Sequence, residues 1–196
     1  MQVFDEGRIR FAFPAAWAVL KYDDSLYYRG PVARSGAGLA AVDFVAARPQ
    51  PLALLLLEVK DFRQHSVENR PRLHSGELAT EAAAKALGTL GMLHVGMRVA
   101  SPEIRALAAT LSHAADVPAH FVLLLEDDMP PQAGPSGFLS TTAKFKRDTY
   151  FRLRGDILTS LKNRLRPFRI TAELYGCAEV PGREGWTATI LPYSGS

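Results

Sequence analysis

Two apolar runs lie close together in this chain, and each carries charge where an apolar strand rarely does. The first is Leu39-Ala40-Ala41-Val42-Asp43-Phe44-Val45-Ala46-Ala47, and the second is Leu54-Leu55-Leu56-Leu57-Glu58-Val59-Lys60. The segment between them, Arg48-Pro49-Gln50-Pro51, is rich in turn formers, so the pattern predicts an antiparallel hairpin. Alternate residues of a strand share a face, which projects Glu58 and Lys60 together and turns Val59 away. With Arg48 and Ala53 flanking the loop, paired residue numbers sum to 101, and Asp43 falls opposite Glu58. A slip of one residue would send Asp43 to the other face.

Elsewhere the periodicity predicts a hairpin over Val3 to Phe13 turning at Glu6-Gly7, with Pro14 placed where a helix can begin. Ala15 to Tyr28 fits helix and strand equally. Asp61 to Leu73 reads as a polar connection leading to a helix from Ser75 to Met97. Ser75 would be its N-cap, and Ala83, Leu87, Leu90 and His94 its apolar face. Ser101-Pro102-Glu103 is a helix start, expected to run to Ala115. His120 to Leu125 reads as a buried strand, and a Pro/Gly-rich loop spans Met129 to Ser140. A long helix follows from Thr142 to Arg166, stopped by Pro167. The end reads as a β-hairpin of Ile170 to Val180 and Trp186 to Leu191, turning at Pro181 to Gly185.

Length and composition change this picture little. The 196 residues suffice for one sizeable core, and 47% hydrophobic with 22% charged residues is ordinary, so a single domain over residues 1–196 is expected. A lone cysteine, Cys177, excludes an internal disulfide framework and a multi-cysteine zinc site. Met1 to Glu6 is acidic where a signal peptide would be basic, and no apolar run approaches a membrane span. These features give the expectation of a cytoplasmic protein with no membrane partner. Gly30, Gly36 and Gly38 supply neither the P-loop spacing nor a Gly-X-Gly-X-X-Gly turn, which argues against a doubly wound phosphate-binding fold.

Charge is unevenly spread. The net charge is +3, but Lys144 to Arg169 holds nine basic residues against Asp148 and Asp156. Such density suits a polyphosphate backbone, with Lys144, Lys146, Arg147, Arg152 and Arg154 as contacts and Tyr150, Phe151 and Phe168 available for stacking on bases. It suits equally a solvated helix whose apolar stripe is Phe145, Leu153, Ile157, Leu161 and Leu165.

Two facing carboxylates repel unless a positive charge sits between them, and a hard divalent cation is the simplest one. Mg²⁺ typically takes one or two carboxylates and completes its shell with water or phosphate oxygens. A neighbouring lysine can orient water or stabilise a phosphoryl group. The plainer reading makes Glu58 and Lys60 an ion pair at a strand end and Asp43 a turn residue.

At Asp43 and Glu58-Val59-Lys60 the chain resembles the PD-(D/E)XK phosphodiesterase superfamily, with Val42 in place of the namesake proline. The resemblance covers residues 38 to 63. It implies an α/β, restriction-endonuclease-like core ordered α-β-β-β-α-β, a central mixed sheet flanked by helices, here with the C-terminal β-hairpin added. It also implies Mg²⁺ or Mn²⁺ held by Asp43, Glu58 and the Val59 carbonyl, and Lys60 as the water-orienting residue. A further acid is expected from Asp23 or Asp24, which fit a turn equally well. The function implied is a metal-dependent nuclease acting on nucleic acid, DNA in the first place. The alternative is a catalytically weak or inactive nuclease-like module that binds nucleic acid or a protein partner. Neither a heptad nor an apolar stripe specifies self-association, and a homodimer cutting two strands is compatible with the chain. Glu77 and Glu81 lie one turn apart on the helix after Lys60, with Glu81 and Lys85 spaced as a surface pair. Glu126-Asp127-Asp128 is a lesser candidate for a second cation, and Asp61 is expected to face away from the site.

Overall fold

The computed structural model describes residues 1–196 except 36–37, 108–109, 111–116, 129, 131, 133–137 and 193–196, and the side chains of 66–67. Strands β1 (Gln2–Glu6) and β2 (Ile9–Phe13) form the N-terminal hairpin, and β3 (Ala18–Lys21) follows without an intervening helix. Trp17 N–H closes a turn onto the Pro14 carbonyl at 3.1 Å, which uses Pro14 in a turn. The ambiguous segment therefore becomes a strand and, at Tyr28–Val32, a wide π-type turn.

The central hairpin has the register read from the sequence. Strands β4 (Phe44–Pro49) and β5 (Leu52–Asp61) pair with Arg48 opposite Ala53 and Phe44 opposite Leu57. The strand starts at Phe44 instead of Leu39, so Asp43 sits at a bend just before β4. Beyond β5 come α1 (Ser66–Ser75), α2 (Glu77–Arg98) and α3 (Pro102–Arg105). They lead to β6 (Ala119–Glu126), α4 (Thr141–Leu165) and β7 (Ile170–Tyr175). The order in the main sheet is β3-β4-β5-β6-β7, antiparallel up to β5 and parallel from β5 to β7. Parallel neighbours need long crossovers, and the helices supply them.

Strand alternation divides the core in two. Val45, Leu54, Leu56, Leu123 and Leu125 point to the helices. Phe44, Leu55, Leu57, Val122 and Leu124 point to a second, three-stranded sheet ordered β1-β2-β8, where β8 is Thr187–Ile190. The leucines of β5 form an unbroken run because both faces of that strand are covered. Each fully buried leucine contributes about 1.5–3 kcal/mol of hydrophobic stabilisation.

Several expectations are corrected. The C-terminal strands are no hairpin: β7 joins β6 in parallel, while β8 pairs antiparallel with β2. Short 3₁₀ turns at Cys177–Glu179 and Gly182–Glu184 carry the chain between sheets, and buried Trp186 fixes the crossing among Phe11 and Phe13. The polar connection after β5 contains α1, which ends at Gly76 with a φ of +75°. Gly76 rather than Ser75 caps α2, although Ser75 Oγ still accepts the Glu77 N–H at 3.3 Å. Of the face expected on α2, Ala83 is buried and Leu87 and Leu90 pack partly buried against the core, but His94 is exposed, and the buried side also takes in Ala79, Ala82, Ala86, Thr89 and Leu93. Small residues on that side let the helix lie close over the strands. Of the helix expected from Ser101, α3 covers Pro102–Arg105, and much of the remainder lies outside the described residues. The same holds for most of the Pro/Gly loop.

Candidate functional site

Asp43 is placed by three backbone constraints. Thr89 Oγ1 on α2 accepts the Val42 N–H at 3.1 Å, Tyr22 N–H donates to the Asp43 carbonyl at 2.8 Å, and Val59 N–H donates to Asp43 Oδ2 at 2.5 Å. The last bond crosses from β5 and ties the Asp43 carboxylate beside Glu58. By alternation Asp43, Glu58 and Lys60 all belong to the helix-facing side of the sheet.

Glu58 is fully buried. Its Oε1 receives two ammonium groups, Lys60 Nζ and Lys85 Nζ, each at 2.7 Å, and its Oε2 is buried without a hydrogen-bond partner. Lys60 also lies 3.3 Å from Glu81 Oε1, and Arg72 of α1 pairs with Glu81 Oε2. A chain of alternating charge thus runs Glu58–Lys60–Glu81–Arg72, with Lys85 entering from α2. The expected surface pair of Glu81 and Lys85 is replaced by this arrangement, because both side chains turn down onto the end of β5.

The electrostatics follow from burial and proximity. Burial and the nearby Glu58 charge push the Asp43 carboxyl up to about 7, against the pull of the Val59 N–H and of Lys85. Glu6, on β1, raises it further. Burial alone would lower Lys60, but Glu58 and Glu81 outweigh it and hold the ammonium above its ordinary value. Burial would raise Glu81, yet Lys60 and Arg72 bring its carboxyl below the usual range.

Asp43 and Glu58 fit a small hard cation. Among the described residues no group of three or more His, Cys, Asp or Glu gathers into a metal cage. Two adjacent carboxylates, one with an unsatisfied buried oxygen and one resisting ionisation, match the one or two carboxylates Mg²⁺ takes.

The other expected residues separate from this centre. Asp24 pairs with Lys21 at 2.6 Å and with Arg29, which gives it a turn-stabilising role. Asp23 Oδ1 is buried and unpartnered, and burial raises its carboxyl, but the acid that acts on Asp43 besides Glu58 is Glu6. Lys144, Lys146, Arg147 and Arg152 are exposed along α4. Arg154 is not available to a ligand in the same way: it donates to the Leu125 carbonyl at 3.0 Å and to Glu179 at 2.5 Å, and lies over the Tyr150 ring. Glu77 is exposed, and Asp61 faces the other way, paired with Arg63.

Lys85, Arg72 and Glu6 were not among the expected site residues. Only the side-by-side packing of α1, α2 and β1 around the strand ends brings them there. An apolar cavity of about 540 Å³, lined by Leu54, Leu90, Met97, Phe168 and Ile170, lies at the opposite end of the strands and shares no residue with this centre. No family model matches the chain, no curated protein matches its sequence, and no solved structure matches its fold. Among the described residues no helix is long and apolar enough to cross a membrane.

Proposed function

We propose that this chain is a Mg²⁺- or Mn²⁺-dependent nuclease of restriction-endonuclease-like fold, hydrolysing phosphodiester bonds in nucleic acid, with DNA the expected substrate. The observation that carries the reading is the juxtaposition of Asp43, at the bend leading into β4, with Glu58 on the neighbouring β5, tied by the Val59 N–H on Asp43 Oδ2. Lys60 stands two residues on, and one oxygen of Glu58 is buried without a partner. The element order from β3 onward, three strands with the Tyr28–Val32 helical turn between the first two, then helices, a strand, a helix and a strand, supports the fold reading. Strands β1 and β2 precede it where the resemblance implies a helix.

Asp43, Glu58 and the Val59 carbonyl would hold the cation, which supplies charge neutralisation for phosphate and a more acidic bound water. Lys60, anchored by Glu58 and Glu81, would orient the attacking water and stabilise negative charge on the phosphoryl oxygens. Glu81 and Arg72 fix the lysine's position. The Val59 N–H holds the Asp43 carboxylate toward Glu58.

The second reading, a module that binds nucleic acid without cutting it, is favoured by Lys85. Two ammonium groups on one carboxylate already neutralise Glu58 and the neighbouring Asp43 without a divalent ion.

Incubation with Mg²⁺ or Mn²⁺ and circular, linear and single-stranded DNA and RNA separates the two. Metal-dependent cleavage, reduced at least about 100-fold in Asp43→Asn and Lys60→Ala, is the expected result. Absence of cleavage across the panel, with binding equal in the variants, overturns the nuclease reading in favour of the binding module.

A further inference from the structure

Helix α4 has two unlike halves. Its C-terminal half buries Ile157, Leu161 and Leu165 in the helix-side core. From Thr141 to Arg152 no residue is buried, so about 18 Å of helix stands out from the body. Ser140 caps this half, accepting the Ala143 N–H at 3.2 Å, so its start is well defined.

This projecting half lies near the candidate site. Arg154 anchors the helix on the Leu125 carbonyl, and Leu125 is the register partner of Lys60. Residues before Arg154 therefore extend past the same end of the sheet that carries Glu58 and Lys60, on the same helix-covered face.

Its surface combines cations with apolar rings. Lys144, Lys146, Arg147 and Arg152 face one acid, Asp148, and among the described residues these four make no ion pair. Phe145 is 69% exposed and Phe151 55% exposed. Exposed phenylalanine is unfavourable in water, and duplex phosphates would need only the cations. Flat rings between cations suit bases whose faces are open, because a duplex hides those faces in its stack. A second copy of the chain would set like charge against like charge.

We propose that the projecting half of α4 binds single-stranded nucleic acid, Phe145 and Phe151 stacking on unpaired bases while Lys144, Lys146, Arg147 and Arg152 follow the phosphates. The inference rests on the nuclease reading for what the bound strand is delivered to, and names its substrate as unpaired strands or ends.

Fluorescence anisotropy in EDTA, with a labelled oligothymidine strand and a blunt duplex of equal length, tests binding without cleavage. The wild type should favour the single strand about tenfold. Phe145→Ala/Phe151→Ala, whose side chains are exposed, should lose about tenfold or more on the single strand and little on the duplex. Lys144→Gln/Arg147→Gln should weaken both and flatten the salt dependence. Circular dichroism checks that each variant folds. Equal affinity for both polymers, or an unchanged phenylalanine variant, overturns the inference. Preserved single-strand preference without metal-dependent cleavage would sink the nuclease reading alone, and duplex cleavage without that preference would sink this inference alone.

Discussion

Two buried carboxylates lie near the same end of neighbouring strands of the main sheet, and they are treated in opposite ways. Glu126, at the end of β6, accepts the Cys177 backbone N–H. Gly176 lets the chain close over it, since a Cβ there would come within 3.1 Å of Glu126 Oε1. Asp127 and Asp128 likewise take backbone N–H groups, of Asp128 at 2.8 Å and Gln64 at 3.1 Å. Glu58, three residues before the end of β5 and on the opposite face, receives only lysine side chains and keeps one oxygen unsatisfied. A carboxylate capped by backbone is committed to holding the fold. One held by long side chains, with an oxygen left unsatisfied, keeps an acceptor that the fold does not use.

Substitution should separate the two by size of effect. Glu58→Ala leaves two partly buried lysines without their shared partner, Lys60 keeping only Glu81, and should cost about 3–5 kcal/mol in urea denaturation. A loss below about 1 kcal/mol would mean that the lysines escape to solvent and that the centre is not rigid.

Asp43 gives the next effect, and it depends on pH. Its folded pKa, about 7, lies above the unfolded value, so the folded state holds the proton more tightly. Stability from this group is therefore lost as pH rises from about 4 through 7. The penalty reached above pH 7 is on the order of 2 to 4 kcal/mol. Asp43→Asn should remove that part of the pH dependence and be the more stable protein at high pH. Identical denaturation profiles for the two would contradict the raised Asp43 carboxyl that burial and Glu58 together impose.

Glu126→Ala should cost less, about 1–3 kcal/mol, chiefly by leaving the Cys177 N–H unsatisfied. The same substitution should leave divalent-ion binding intact, which is the sharper half of the contrast. The smallest effect is expected at Lys85. Lys85→Met removes a competitor for Glu58 and should tighten Mn²⁺ binding roughly threefold to tenfold. Weaker binding in that variant would make Lys85 a support for the site instead.

The strand pairing behind Glu58 was legible in the sequence for local reasons, whereas the backbone caps on Glu126, Asp127 and Asp128, read there as a lesser cation candidate, were not. The proline-rich turn and the charge at Asp43 and Glu58 defined the hairpin register, because strand pairing is set by turn length and alternation. The long helix α4 and its stop near Pro167 were similarly local. What escaped depends on packing between distant segments. Glu81 and Lys85 have the spacing of an exposed pair, and nothing in that spacing tells that α2 lies across the end of β5. The strands before and after Pro181 to Gly185 have the pattern of a hairpin. Only the demand of Trp186 and Ala188 for the aromatic cluster of β2 sends the second strand to another sheet. The exposure of Phe145 was hidden too, since a phenylalanine at helical spacing from Leu153 and Ile157 reads as core until the helix is seen to project.

The most direct test is calorimetric titration of Mn²⁺ at pH 8 into the wild type, Glu58→Gln and Glu126→Gln. One site in the wild type, lost in Glu58→Gln and retained in Glu126→Gln, is the result predicted here. Binding absent from the wild type, or unchanged when Glu58 is replaced, would contradict the account.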